Sequence, residues 1–294
     1  MALHRLTRLT IGVPNVDETA AFYADFGLIP IETADGEAVR RFATVDGGEQ
    51  LNLVHRPIRQ LVEIGIGAGD ADDLGRIKAA LSRIDIDAPV NDDELRAVEP
   101  ATGIAVTVSV VPELAQKFVQ AEQNFPGDIR RPSVRAPALY RDEPVRPKKL
   151  GHVVFGSTDY AASKRFFMDG LGFKISDEVA DIGAFMRCSP DHHNVLVQAA
   201  PVNFLHHTSW EVEDFDEIGR GAHTMLEDHR SAMYGESAGT GSGQTSSTIF
   251  VTRPATCRST TPTWTRYSTT RSGIPASGAP TRSPIIGDRP CHRR

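Results

Sequence analysis

Short apolar runs alternate along the chain with stretches in which apolar residues recur every three or four positions. The alternation in AVTVSVV (105–111) and VLVQA (195–199) predicts half-buried strands. The spacing of apolar residues within 20–24 and 74–81 predicts amphipathic helices. Each predicted helix follows a strand and precedes several more. The pattern therefore predicts an α+β fold made of repeated βαβββ units.

The same order of strand, turn and helix occurs twice at a fixed separation. LTIGVPNVDETAAFYADFGL (9–28) aligns with VVFGSTDYAASKRFFMDGLGF (153–173), and 153 − 9 gives an offset of 144 residues. The same offset aligns 61–77 with 205–221. A constant offset over two separate matches indicates four βαβββ units in two pairs, hence two domains. Two α+β domains without common ancestry are the alternative.

Composition divides the chain further. We expect an N-terminal pair of units in 1–129, a linker rich in Pro and Arg in 130–149, and a C-terminal domain in 150–230. From residue 231 to 294 the chain is rich in Ser, Thr and Arg and lacks Lys, which is typical of a disordered tail. The fourth unit is therefore expected to be incomplete and to lack its closing strands.

Charge and cysteine usage exclude several classes of protein. The formal net charge is −6 and no large basic block precedes residue 231, which argues against a nucleic-acid partner. No apolar run approaches the roughly 20 residues of a membrane span, and the N-terminus lacks the apolar core of a signal peptide. Three distant cysteines, Cys188, Cys257 and Cys291, predict neither a disulfide framework nor a thiolate metal cage. We therefore expect a cytoplasmic protein.

Two histidines occupy equivalent places in the C-terminal units. His152 begins the first strand of unit three, and His207 begins that of unit four. Pseudo-symmetry would point both imidazoles into one cavity, so they are candidate metal ligands. Subtracting 144 from each position gives Arg8 and Glu63, so the N-terminal half lacks these ligands. Ordinary strand histidines satisfied by their neighbours are the alternative.

His193 is the candidate acid–base residue. It begins a predicted strand 14 residues before His207 and would lie beside the metal strand without binding the metal. An imidazole titrates near neutrality, which suits proton transfer. A surface histidine in a polar turn is the alternative. His192 and His206 are expected to point to the opposite faces of their strands from their neighbours.

Three motifs resemble those of the type I extradiol ring-cleavage dioxygenases of the vicinal oxygen chelate superfamily. They are GHVVF (151–155), DHHNVLV (191–197) and LHHTSWEVEDFDEIG (205–219). The resemblance covers about residues 1–230 and implies two vicinal-oxygen-chelate domains, the first non-catalytic.

The resemblance also implies a site and a reaction. His152 and His207 would be iron(II) ligands, with manganese(II) as the second choice of metal, and His193 the acid–base residue. The substrates would be a catechol-type diol and dioxygen. The quaternary structure stays open, with a homo-oligomer as one alternative. The family's third ligand, a Glu on the last strand of unit four, has no match after Arg230.

A slip of the coding frame near Ser231 would explain the missing motifs. When each codon begins at the third base of the written one, 232–240 can encode HVWGIGRH and 245–251 can encode FFHYLR. The next residues can give DPAG, and 258–267 can give EYYTDLDPI. These strings contain a GRH motif, a Tyr and a Glu in the expected order. As written, the chain is expected to be poorly folded and inactive because the 2-His-1-carboxylate triad lacks its carboxylate.

Three rival functions follow from the same residues. A glyoxalase-like isomerase or lyase would use this fold with different ligands, and the GRH and EYY strings favour the dioxygenase. A non-catalytic small-molecule-binding protein of the superfamily would lack metal histidines on these strands. A zinc hydrolase would need an HExxH or similar motif, which the sequence does not contain.

Overall fold

A computed structural model describes residues 3–32, 38–91, 93–116, 122, 124–135, 141–229, 233–236 and 247–251. The remaining residues lie outside this description, including Cys257, Cys291 and most of the predicted shifted-frame segment. Among the described residues, no helix combines the length and the apolarity needed to cross a bilayer.

Each half of the chain begins with a strand followed by a helix. The elements of the N-terminal half are β1 (Leu3–Val13), α1 (Val16–Asp25), β2 (Ile29–Ile31), β3 (Arg40–Thr44), β4 (Gly48–His55), β5 (Gln60–Ala68), α2 (Ala71–Ser82), β6 (Glu94–Val98) and β7 (Ala105–Val110). Those of the C-terminal half are β8 (Lys149–Ser157), α3 (Tyr160–Arg165), β9 (Lys174–Val179), β10 (Gly183–Arg187), β11 (Val195–Ala199), β12 (Phe204–Val212), α4 (Phe215–His229), β13 (Met233–Glu236) and β14 (Ser247–Val251).

The strands form two seven-stranded mixed sheets, one in each half. The first has the order β2-β3-β4-β1-β5-β7-β6, and the second has the order β13-β14-β12-β8-β11-β10-β9. In each sheet the first strand of the half lies at the centre, between one antiparallel and one parallel neighbour. The predicted α+β class is therefore confirmed.

The register of the central strands repeats with the predicted offset. Thr10 lies opposite Glu63 in the β1–β5 pair, and adding 144 to both positions gives Val154 opposite His207 in the β8–β12 pair. The bulges next to these pairs recur at matching positions, including the one between Thr10 and Ile11. Because one residue of slip would exchange the two faces of a strand, this shared register shows that the halves are copies of one plan.

Aspartates at the predicted turns begin three of the helices. The Asp70 carboxylate accepts from the Asp73 amide at 2.8 Å, and Asp214 accepts from the Glu217 amide at 3.1 Å. These carboxylates satisfy amides that lack partners at a helix start. Asp159 caps α3 in the same way, whereas Asn15 makes no side-chain cap to α1.

Aromatic pairs anchor the first helix of each half to its sheet. The buried rings of Phe22 and Tyr23 meet edge to face with centroids 5.5 Å apart. Phe166 and Phe167, in a π-helical turn that continues α3, meet at 5.3 Å in the same geometry. Edge-to-face packing adds to the gain from burying the rings.

Truncating the second pair should destabilise the fold. Phe167 is fully buried and also contacts the rings of Phe155 and Phe173. We expect Phe167→Ala to lower the free energy of unfolding by about 3–5 kcal/mol, measured by chemical denaturation. Phe125, with half of its surface exposed, is the matched control, and Phe125→Ala should cost less than about 0.5 kcal/mol. Equal losses in the two variants would contradict this packing.

Unit four differs from the sequence prediction. Its closing strands were expected to be missing, but β13 and β14 follow α4 within the predicted tail. β14 pairs with the free edge of β12, and β13 pairs with β14. The STIFV segment of β14 is rich in residues that favour strands, and its pairing covers an otherwise open edge. β14 runs antiparallel to β12, whereas its counterpart β7 runs parallel to β5.

The two halves contact each other through backbone and side chains. The Val45 amide donates to the Pro147 carbonyl at 3.0 Å, and Gln50 Oε1 accepts from the Leu150 amide at 2.6 Å. Ser163 Oγ donates to the buried Glu99 carboxylate at 2.9 Å. The end of the predicted linker thus packs against the N-terminal half.

Candidate metal centre

Two adjacent central strands bring the imidazoles of His152 and His207 together. In the antiparallel β8–β12 pair, His207 lies opposite Val154, two residues from His152 along β8. Side chains two residues apart project from the same face of a strand, so the two rings meet diagonally. Both histidines lie within their strands, since β8 begins at Lys149 and β12 at Phe204.

The two rings have the spacing of ligands that share an ion. His152 Nε2 and His207 Nε2 are 3.2 Å apart. Two nitrogens at that distance can each lie about 2.1 Å from one metal ion, as imidazole ligands do. The geometry also permits a hydrogen bond between the rings in the metal-free protein, with one nitrogen donating and the other accepting. The predicted pair of ligands therefore fits a metal.

Burial keeps these imidazoles neutral. It lowers the pKa of His152 well below the usual value, and nearby His193 and His207 lower it further. Burial and the neighbouring His206 lower the pKa of His207 to about 3. A neutral imidazole is the form that binds a metal. Both side chains are therefore neutral at pH 7.

His193 lies against this pair, as the sequence predicts. Its ring centroid is 4.0 Å from that of His152, and its edge packs against Phe185 at 5.1 Å. It lies in the turn before β11 rather than in the strand, which begins at Val195. The Val153 amide donates to the Asn194 carbonyl at 3.0 Å, which fixes this turn beside β8. Burial and the neighbouring His192 lower the pKa of His193 to about 4.

The expectation that His192 and His206 point away from their neighbours is wrong. His206 Nδ1 is 2.6 Å from His207 Nδ1, and His192 Nδ1 is 3.1 Å from His193 Nδ1. A register shift between Leu205 and His207 interrupts the alternation of β12, because a bulge re-aims side chains. The His192–His193 pair lies in a turn, where strand alternation does not apply.

Two further contacts at the site had no signal in the sequence. Arg59, between β4 and β5, donates from Nη1 to the Leu205 carbonyl at 3.1 Å, and its charge contributes to the lowered pKa of His207. His192 Nε2 is 2.7 Å from the exposed Asp177 carboxylate. Both contacts are long-range, so residue spacing along the chain does not predict them.

The lowered pKa values predict how stability depends on pH. A histidine titrates near 6.5 in an unfolded chain, but His193 titrates at about 4 and His207 at about 3 in the folded one. The unfolded state therefore binds more protons below pH 6.5, so stability is full above that pH and falls as pH decreases. Each imidazole should contribute about 1.4 kcal/mol per pH unit between about pH 6 and pH 4.

Denaturation of metal-free protein at pH 7, 6, 5 and 4 would measure this slope. His193→Gln should reduce it by about one proton, whereas Phe125→Ala, which removes no titrating group from the chain, should leave it unchanged. An identical slope in the parent chain and His193→Gln would contradict the buried neutral imidazole.

Ion-paired side chains occupy the matching place in the N-terminal half. Subtracting 144 from the three histidine positions gives Arg8, Glu49 and Glu63. The Arg8 guanidinium lies 3.8 Å from Glu49 and 3.6 Å from Glu63, and Thr107 Oγ1 donates to Glu63 at 2.7 Å. The Arg8 guanidinium thus lies in the N-terminal half at the place where the C-terminal half could hold a metal. Glu49 was not singled out from the sequence, although the offset applied to His193 finds it.

A third ligand is not found in the described part of the chain. Over those residues, no three His, Cys, Asp or Glu side chains are grouped so that they could hold a metal ion. The expected Glu in the shifted frame falls on residues outside the description. The donors in the described residues therefore account for two positions of a metal site.

The duplicated strand–helix plan and the paired imidazoles on adjacent central strands characterise the C-terminal half. Residues 149–243 match the family model of the Glyoxalase/Bleomycin resistance protein/Dioxygenase superfamily. This part of the chain is a domain of that superfamily.

Individual relatives extend the likeness over most of the chain. Metapyrocatechase 2 of Cupriavidus necator is 26% identical over 251 residues, which are 82% of this chain and 74% of the relative. An iron-dependent extradiol dioxygenase of Rhodococcus jostii is 35% identical over 85 residues, 24% of this chain and 28% of that protein. The crystal structure of the Mn(II)-bound glyoxalase from Novosphingobium aromaticivorans superposes with a TM-score of 0.63 at 22% identity, covering 83% of this chain and 78% of that one. This last likeness shows the fold alone.

Proposed function

We propose that the chain derives from an iron(II)-dependent extradiol dioxygenase that cleaves a catechol-type diol with dioxygen. The observation that carries the proposal is the pair of neutral imidazoles with Nε2 atoms 3.2 Å apart. Relatives named as a metapyrocatechase and an iron-dependent extradiol dioxygenase support it. Manganese(II), present in the glyoxalase structure, is the second choice of metal.

The residues of the chain have distinct roles in this proposal. His152 and His207 hold the metal by Nε2. Bound iron(II) would supply adjacent open positions for the diol and dioxygen and would pass electron density between them. His193, neutral at pH 7, accepts a proton from a diol hydroxyl. Its ring is held by Phe185 on one side and by His192 on another. A residue that accepts a proton from a substrate has to be held rigidly, and the turn before β11 holds His193 in this way.

The chain as written is proposed to be inactive because the third ligand is missing. The coding-frame slip near Ser231 accounts for that loss. Support comes from the antiparallel pairing of β14 with β12, since a faithful copy of unit two would place its last strand parallel. The nucleotide sequence tests the slip. If the codon of Tyr234 does not end in T, the shifted frame cannot encode the expected Trp and the slip is refuted.

Oxygen dependence tests the proposed reaction. A chain with the shifted frame after Ser231, loaded with iron(II), should cleave catechol under air and should form no product under argon. A glyoxalase-like isomerase or lyase would need no dioxygen. A non-catalytic binding protein would bind the diol under either gas without product. Turnover under argon, or none under air with iron bound, would overturn the assignment.

A further inference from the structure

A cavity of about 520 Å³ lies between the two halves, and it is not used by the proposed metal centre. Its walls contain equivalent residues from both copies. Leu6 and Leu150 differ by 144 positions, as do Gln50 and Asn194, and all four line the cavity. Leu3 and Leu114 add further apolar surface. The cavity has the size of a pocket for a small organic molecule.

One cation of the cavity is fully paired. Lys149 Nζ lies 2.9 Å from the Asp191 carboxylate and 3.3 Å from that of Glu211. Burial alone would lower the pKa of Lys149, but these two carboxylates outweigh it and the pKa is raised. Lys149 is therefore a charged group whose partners belong to its own half.

The equivalent cation of the N-terminal half has lost both partners. Arg5 is the counterpart of Lys149, and its cross-strand neighbour is Gly67, where Lys149 has Glu211. The same offset places Gly47 at the position of Asp191. Two glycines thus replace the two carboxylates.

No substitute partner is found for Arg5. No described residue forms a hydrogen bond or an ion pair with its guanidinium, and of its three nitrogens Nε alone is both out of solvent and without an acceptor. The Arg5 side chain is half-buried, and this partial burial lowers its pKa because it removes some of the water around the cation. The neighbouring His4 donates from Nε2 to the Val111 carbonyl at 3.1 Å and supplies no negative charge to Arg5.

We propose that this cavity binds a small organic monocarboxylate with an apolar body, whose carboxylate pairs with Arg5. A guanidinium forms two parallel hydrogen bonds with a carboxylate, and the leucines accommodate the hydrocarbon part. A dianion such as phosphate is disfavoured because Asp191 and Glu211 already engage Lys149 and because Glu113 adds a third carboxylate to the walls. The site is independent of the metal and of the proposed ring cleavage.

Calorimetric titration of the full, metal-free chain with benzoate tests the proposal. Benzoate should bind, and benzamide, which has the same body without the charge, should bind at least about tenfold more weakly. Arg5→Gln should weaken benzoate binding by about 10- to 100-fold, because it removes a charge-assisted pair. Inorganic phosphate should not compete at equal concentration.

Matched variants keep the test decisive. Arg83→Gln, at an exposed arginine after α2, should leave benzoate affinity unchanged. Arg5→Lys retains the charge without the planar fork and should give an intermediate affinity. If Arg5→Gln fails to fold, the affinity of Arg5→Lys for benzoate and that of the parent chain for benzamide still test the pairing of Arg5 with the carboxylate. No benzoate binding, equal affinity for benzamide, or an unchanged affinity in Arg5→Gln would overturn the proposal.

Discussion

A chain translated in the shifted frame after Ser231 is expected to bind one iron(II) and to cleave catechol, while the chain as written does neither efficiently. Both imidazoles precede Ser231 and are therefore the same in the two chains, so the two chains are expected to differ in the carboxylate. Loss of a group that merely orients a metal ligand costs about 10- to 100-fold in affinity. Loss of one of three ligands should therefore weaken iron binding by at least about 100-fold.

Iron titration under argon and dioxygen consumption under air would measure this difference. A third chain in the shifted frame, with the Glu of its EYY string replaced by Gln, separates the ligand from the rest of the restored segment. It should fold like the restored chain and bind iron as weakly as the written one. Stoichiometric iron on the written chain would contradict the account.

His193→Gln in the restored chain is expected to reduce kcat/KM by about 10²- to 10⁴-fold, the usual contribution of an acid–base residue. Its ring centroid lies 4.0 Å from that of His152, close enough to serve a metal-bound diol. Because we assign it no bond to the metal, iron content should stay unchanged. Steady-state assays with catechol, combined with metal analysis, would show the effect.

The exposed His55 provides the control for this prediction, and His55→Gln should retain full activity. If His193→Gln lost iron together with activity, His193 would be a ligand rather than an acid–base residue. If it lost neither, its place beside His152 would be structural.

The duplication made much of the fold predictable from sequence. Once the offset of 144 residues is known, the pairing of Thr10 with Glu63 implies that of Val154 with His207, and both are present. The approach of the His152 and His207 rings to each other follows from the same symmetry. These features are predictable because equivalent positions in two copies of a sheet share one register.

Local irregularities and long-range contacts were not predictable. The bulge beside His207 turns His206 to the same side, which strict alternation forbids. Arg59 reaches the site from a loop of the other half. The strands β13 and β14 form in a segment whose composition is typical of disorder, because pairing at the β12 edge outweighs composition.

Anomalous diffraction from crystals of the restored chain, grown anaerobically with iron(II), would test the shared metal most directly. We expect a single iron peak bonded to Nε2 of His152 and Nε2 of His207. An iron peak bound elsewhere, with those two nitrogens still in contact with each other, would contradict it.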